Sequence, residues 1–233
     1  MQKILTEPGM RQISFDSDGY TLSGTLHLPK GVSAPPVVIG CHGLLSSSSS
    51  PKQIALATQC NLAGIGYFRF DHRGCGKSSG DLWKVTSLQG RSNDLYSAIQ
   101  KLTSLGIDRQ RIGLFGSSLG GSVCLDFASR HAISVLAIFA APLTIGTAAA
   151  DALAQYLTFN LSGNLDQVSN IHIFHGDADK TVPLWHAQST YRQVTFPKDL
   201  TIFKNGDHRM SNPIHQKAFL DAAVQWFCRA LLG

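Results

Sequence analysis

The stretch Arg111-Ile112-Gly113-Leu114-Phe115-Gly116-Ser117-Ser118-Leu119-Gly120-Gly121-Ser122-Val123-Cys124-Leu125-Asp126-Phe127 reads as a strand running straight into a helix. Ile112, Leu114 and Phe115 belong to a short β-rich run without alternation, the mark of a strand covered on both faces. Leu119, Val123 and Phe127 then recur at helical spacing. Between them Gly116 to Gly120 matches G-x-S-x-G, a turn tight enough to push a serine hydroxyl out of the end of a sheet. Flanking glycines suit such a turn, because its backbone is strained and neighbouring backbone passes close by. Gly121 adds room for helix against strand.

A second match, Gly76-Lys77-Ser78-Ser79-Gly80, serves as a control, since it lies in a Gly-rich loop and runs into Asp81-Leu82-Trp83 without a helical pattern. It reads as a loop. Gly76-Lys77-Ser78 also resembles the end of a phosphate-binding P-loop, but the required first glycine would fall at Asp71. A dinucleotide fingerprint starting at Gly74 would need a third glycine where Ser79 stands. Both nucleotide readings fail, and no cofactor is expected.

Working outward, further short β-rich runs at 37–41, 66–70, 135–140, 171–174 and 200–203 alternate with helical patterns, the signature of a mostly parallel sheet with helices on both faces. Leu95, Ala98, Ile99 and Leu102 form one apolar helical stripe, and Leu220, Ala223, Val224, Phe227 and Leu231 another. Residues 11–20 and 21–28, around Ser17-Asp18-Gly19, read as an N-terminal antiparallel hairpin at one sheet edge. Ser50-Pro51 suggests an N-cap with proline at the first helical position, and Val182-Pro183 a helix start near Leu184.

The chain has 233 residues, which fits a single domain over 1–233 with a short insertion at about 143–166. It is 43% hydrophobic and 15% charged, so it should fold rather than remain disordered. Its net charge of +5 comes from scattered Lys and Arg with no basic run to track a phosphate backbone, so no nucleic-acid partner is expected. Residues 1–8 lack an apolar core for export, and the longest apolar run, 133–143, is too short to span a bilayer. The expectation is a cytoplasmic chain without a membrane span; its oligomeric state is not legible. The five cysteines, Cys41, Cys60, Cys75, Cys124 and Cys228, show no C-x-x-C spacing, which signals neither a disulfide framework nor a metal site.

A serine hydroxyl is a poor nucleophile at neutral pH, so Ser118 needs a base within hydrogen-bond reach and an acid to orient that base. Of the histidines after Ser118, only His208 sits in a polar turn just past a strand, within Asn205-Gly206-Asp207-His208. His186 and His215 fall in helical patterns, and His172 and His175, three apart on one strand, face opposite ways and cannot share a metal. The only glutamate, Glu7, lies upstream of the serine, so the acid should be an aspartate. Asp177 and Asp179 both stand at a strand end; spacing leaves both open, with Asp179 preferred. Asp207 reads as a residue that shapes its turn. For a developing oxyanion, backbone N–H groups are expected from Leu119, at a helix N-terminus, and from Leu44, in the sharp turn Cys41-His42-Gly43-Leu44.

Taken together, His42-Gly43, the run from Phe70 to Ser78, the turn at Ser118, His175-Gly176-Asp177-Ala178-Asp179-Lys180-Thr181-Val182-Pro183 and Gly206-Asp207-His208 resemble the α/β-hydrolase superfamily. Within it the chain is similar to small serine esterases and S33-like peptidases, including the cinnamoyl and feruloyl esterases, over roughly residues 35 to 228. The resemblance implies an α/β-hydrolase fold with a minimal lid and the acid at Asp179. It also implies cleavage of small-molecule carboxylic esters through an acyl-enzyme. An aminopeptidase, an acyl-peptide hydrolase or a thioesterase would use the same parts, and a silent receptor scaffold the same fold. Two departures stand out: Ser117 replaces a histidine common before the nucleophile, and a serine tract follows the oxyanion turn where relatives often carry glycine. The stretch between Pro142 and Ile171 has room for about one helix, at 148–159.

Overall fold

The short apolar runs become strands of one eight-stranded sheet, ordered β1-β2-β4-β3-β5-β6-β9-β10, in a computed structural model that describes residues 9–146 and 157–233. β1 (Gly9–Ser17) and β2 (Tyr20–Leu28) form the antiparallel hairpin at one edge, closed by Asp18-Gly19. β2 pairs antiparallel with β4 (Gly66–Phe70), after which β3 (Val37–Cys41), β5 (Ile112–Ser117), β6 (Val135–Phe139), β9 (Ile171–Gly176) and β10 (Lys198–Phe203) continue in parallel. This is the α/β-hydrolase architecture. A separate two-stranded ribbon pairs β7 (Thr144–Ile145) with β8 (Phe159–Asn160).

The strands lack alternation because both faces are covered. On one face α1 (Pro51–Leu62) and the last helix, α6 (Pro213–Leu231), bury Val38, Leu56, Phe115, Phe139, Phe219 and Phe227. On the other, α3 (Leu88–Ser104), α4 (Leu119–Ala128) and α5 (Trp185–Gln193) close over Leu95, Ile99, Leu114, Val123 and Ala187. Strand order reverses between β3 and β5, and a crevice opens outside their carboxyl ends at such a switch point. Both Gly43 and Ser118 sit there; a Cβ on Gly43 would lie 3.3 Å from that of Ser118.

The structure departs from the expectations in four places. β5 and β9 run two residues past their apolar cores, because Ser117 and Gly176 still pair with Phe139 and Phe203 although neither residue type signals a strand. Leu82–Val85 forms a one-turn helix, α2, where loop was expected: Asp81 accepts from the Trp83 N–H, a side-chain cap that apolar periodicity does not reveal. Ser50 does precede Pro51 at the start of α1, yet its side chain makes no cap bond and the residue lines a cavity instead. Of the helix expected at 148–159, residues 148–156 lie outside those described, Leu157 is helical and Phe159 belongs to β8.

The corner between β5 and α4 leaves no room for a side chain at Gly120, where a Cβ would fall 2.2 Å from the Cys41 carbonyl oxygen and 2.7 Å from that of His42. These are backbone atoms of the neighbouring strand end and cannot swing aside. Gly120→Ala is therefore expected to cost about 1–3 kcal/mol or more in urea unfolding. Gly146→Ala, with nothing within 4 Å of its Cβ position, should stay within about 0.5 kcal/mol.

Candidate active site

Ser118 occupies the corner with φ 53° and ψ −127°, a conformation L-residues rarely adopt. Its N–H donates to the Phe139 carbonyl at 2.8 Å, which ties the corner to β6, and its hydroxyl is left facing outward. There His208 Nε2 lies 3.1 Å from Ser118 Oγ, while His208 Nδ1 lies 2.7 Å from Asp179 Oδ2. Because a carboxylate can only accept from the ring, the Nδ1 proton is fixed on Asp179 and Nε2 is left as the acceptor for the serine hydroxyl. The structure thus brings into one relay three side chains separated by 61 and 29 positions (118 to 179, 179 to 208).

Asp179 is held as firmly as its partner. Oδ1 accepts from the N–H groups of Thr181 and Val182, each at 2.8 Å, and the side chain is fully buried. Burial alone would push its carboxyl up; the hydrogen bond from His208 and that from the Val182 amide outweigh it and keep the carboxyl below the ordinary range. His175 completes the turn, donating from Nε2 to the Val182 carbonyl at 2.8 Å, with burial pushing its ring below the usual histidine range. Asp177, the competing aspartate, points away and accepts from the Asn205 N–H.

The two loops meet because Gly176 and Gly206 pack backbone on backbone: a Cβ on Gly176 would stand 2.1 Å from the Gly206 carbonyl oxygen. That carbonyl accepts from the Ala178 N–H at 3.0 Å, so the turn after β9 and the turn after β10 are bonded to each other. Asp207 accepts from the Ser211 N–H at 2.9 Å, shaping the turn that presents His208.

Across the cavity, the loop Cys41-His42-Gly43-Leu44 is organised by a residue that sequence analysis overlooked. The wholly buried Arg91 guanidinium donates to the carbonyls of His42, Gly43 and Leu44 at 3.4, 3.3 and 3.3 Å. In a trans peptide the N–H points opposite to the carbonyl, so the amides of Gly43, Leu44 and Leu45 are turned away from Arg91. Leu44 and Leu119 both line the cavity beside Ser118. A signal for Arg91 exists: with Leu88, Leu95 and Ala98 it lies on the apolar stripe of α3, where a charge needs internal partners.

The other histidines stay out of the relay. His186 Nδ1 accepts from the Leu143 N–H, and burial pushes its ring down to about 4. His172 stacks on Phe174 with ring centroids 3.9 Å apart, and His215 lies against Phe203 at 5.3 Å. His42 is buried, accepting from the His72 N–H at 3.1 Å, as a structural residue of its turn. The loop resembling a P-loop is committed internally: the Lys77 N–H donates to the Asp71 carboxylate at 2.9 Å, the opposite Asp71 oxygen accepts from the Ser48 N–H at 2.7 Å, and the loop docks on β2 through Ser78 and Ser79. Among the described residues no cluster of three or more His, Cys, Asp or Glu could hold a metal, and no helix is long and apolar enough to cross a membrane.

The cavity over this site measures about 1360 Å³. Its walls include Leu45, Leu119, Ile145, Val182 and Phe219, and among the described residues no Asp or Glu lines it, whereas Lys52 and Arg209 do.

Several known proteins are similar to the chain. Uncharacterized protein YfhR of Escherichia coli K12 is 32% identical over 152 residues, covering 60% of this chain and 52% of that protein. The chain spans about half the length of the curated relatives it matches. Among solved structures, Est1E from Butyrivibrio proteoclasticus with ferulic acid bound superimposes with a TM-score of 0.81 at 19% identity, over 95% of this chain and 100% of that one. Dienelactone hydrolase from Anabaena variabilis does so with a TM-score of 0.77 at 20% identity, over 96% and 99%. At such identities these two likenesses speak for the fold alone. The family described as serine aminopeptidase, S33, matches residues 33–169, from the strand before the Gly43 turn, through the Ser118 corner, to the approach to β9, and the chain belongs to that α/β-hydrolase family.

Proposed function

We propose that the chain hydrolyses carboxylic esters of small molecules through an acyl-enzyme on Ser118. The observation that carries this reading is the hydrogen-bonded series Ser118–His208–Asp179, at 3.1 and 2.7 Å. In it, Ser118 Oγ attacks the ester carbonyl carbon while His208 Nε2 takes the hydroxyl proton, leaving a tetrahedral oxyanion. The Leu44 and Leu119 N–H groups donate to that oxygen. Collapse breaks the bond to the alcohol, which leaves with the proton from His208. Water, deprotonated by the same imidazole, then attacks the acyl-enzyme and releases the acid and the Ser118 hydroxyl. Asp179 keeps the ring in the required tautomer and stabilises the imidazolium that forms at each step.

The family's description raises an aminopeptidase as the second reading. Such a substrate presents an ammonium group, which calls for an anionic partner in the site. With Lys52 and Arg209 as the charged residues lining the cavity among those described, the local field repels an ammonium and suits a neutral or negatively charged substrate. Est1E with ferulic acid bound and a dienelactone hydrolase share the fold, which fits the same preference as an analogy.

Four outcomes test the proposal. A fluorophosphonate probe is expected to label the intact protein and not Ser118→Ala, and His208→Ala should lower kcat on a short 4-nitrophenyl ester by about 10³-fold or more; a folded protein that takes no label is a receptor scaffold instead. Asp179→Asn should lose about 10³- to 10⁴-fold in kcat, because the amide can donate to Nδ1 and so favour the wrong tautomer. Asp177→Asn, by contrast, should remain within a few-fold of the parent; equal losses in the two variants would misassign the acid.

A further inference from the structure

Lys52 stands in the first turn of α1, immediately after Pro51, and turns its ammonium inward to the cavity that also holds Ser118. Its Nζ donates to Ser117 Oγ at 3.3 Å and lies 3.7 Å from the centre of the Phe139 ring. Among the described residues no carboxylate comes within 4 Å of it, and the Phe139 ring face is the main favourable partner of its charge. Burial pushes its ammonium down to about 7, against the weaker pull of the Asp207 and Asp179 carboxylates. A positive charge also sits badly at the positive end of a helix dipole, and the first turn of α1 carries no acidic residue and no side-chain cap to offset it.

Next to it a second polar group is left wanting. Gln53, 1% exposed, lines the same cavity; its Oε1 accepts from Tyr67 OH at 2.6 Å, but its Nε2 is buried with no hydrogen-bond partner. A buried donor without an acceptor is costly, as is a buried cation without a counter-charge. Lys52 and the Ser117 hydroxyl therefore meet beside the open start of α1, a group of donors with no anion among them. The walls around them, Phe115, Phe219 and Leu220, are apolar and would strengthen such a contact by excluding water.

We propose that this part of the cavity, between α1 and α6, binds a carboxylate carried on the acyl part of the ester, with the Lys52 ammonium as its counter-ion and the Ser117 hydroxyl as a further donor. The inference rests on the ester-hydrolase reading of Ser118. The acyl side is chosen because Ser117, which the Lys52 ammonium contacts, is the chain neighbour of the residue that would hold the acyl group. A single ammonium matches a monoanion, so the substrate class is the half-ester of a dicarboxylic acid. The same charge makes Lys52 a specificity determinant and not a participant in bond cleavage.

The test compares mono-4-nitrophenyl adipate with 4-nitrophenyl hexanoate, equal in chain length and differing in the terminal carboxylate. The parent protein is expected to favour the adipate by about tenfold or more in kcat/KM, carried mainly by KM. Lys52→Met should erase that ratio, and Lys52→Arg, which keeps the charge, should retain most of it. Independently of turnover, calorimetry should detect adipate binding to Ser118→Ala and a loss of about tenfold or more when Lys52→Met is added. A parent ratio at or below one, a ratio preserved in Lys52→Met, or no adipate binding to Ser118→Ala overturns the inference. Failure of both esters to react would instead count against the hydrolase reading, and the binding measurement would still decide the carboxylate site.

Discussion

The backbone of Ser118 is the constraint on which the rest of the structure depends. An L-residue at φ 53° and ψ −127° stays there only when its surroundings over-determine it, at a cost of about 1–3 kcal/mol. What holds it is the close seating of α4 on the end of β3, possible because residue 120 has no side chain, and the amide bond of Ser118 to β6. Turning the chain this sharply between strand and helix lifts one hydroxyl above the sheet. The loops after β3, β9 and β10 are then arranged around that point, each at the carboxyl end of a parallel strand.

Much of this was legible in the chain because it depends on local pattern. Unalternated runs mark doubly covered strands, and a strand that ends in glycine and serine and restarts at once as a helix marks the corner at Ser118. His208 could be singled out because it alone, among the histidines after Ser118, sits in a polar turn just past a strand. The choice between Asp177 and Asp179 was not a matter of pattern: both belong to one turn, and what distinguishes them is that Thr181 and Val182 aim their amides at Asp179 while Asn205, from the turn after β10, bonds Asp177. Resemblance to relatives favoured Asp179, and spacing alone did not decide.

What escaped a reading of the residues is made by contacts distant in the chain. Arg91 meets carbonyls 47 to 49 positions away, Asp71 meets the amides of Ser48 and Lys77, and Lys52 meets Ser117 across 65 positions. Each is a charge placed where periodicity calls for an apolar or solvated residue. A charge out of pattern is thus the best local hint of a built polar site, though not of its partner. α2 escaped for a smaller reason: one turn fixed by an Asp81 cap is shorter than any period can register.

The guanidinium of Arg91 gathers three successive carbonyls, and this bears on timing. The orientation of the facing amides is settled when the chain folds, in the same event that buries α3 against the sheet. On the ester-hydrolase reading, no part of that dipole array would have to swing into place when a substrate arrives, so the reorganisation energy that water would demand at each turnover would be absent from the reaction coordinate. Loosening the far end of α3, well away from Ser118, should therefore be felt first as a slower chemical step and only later as a less stable protein.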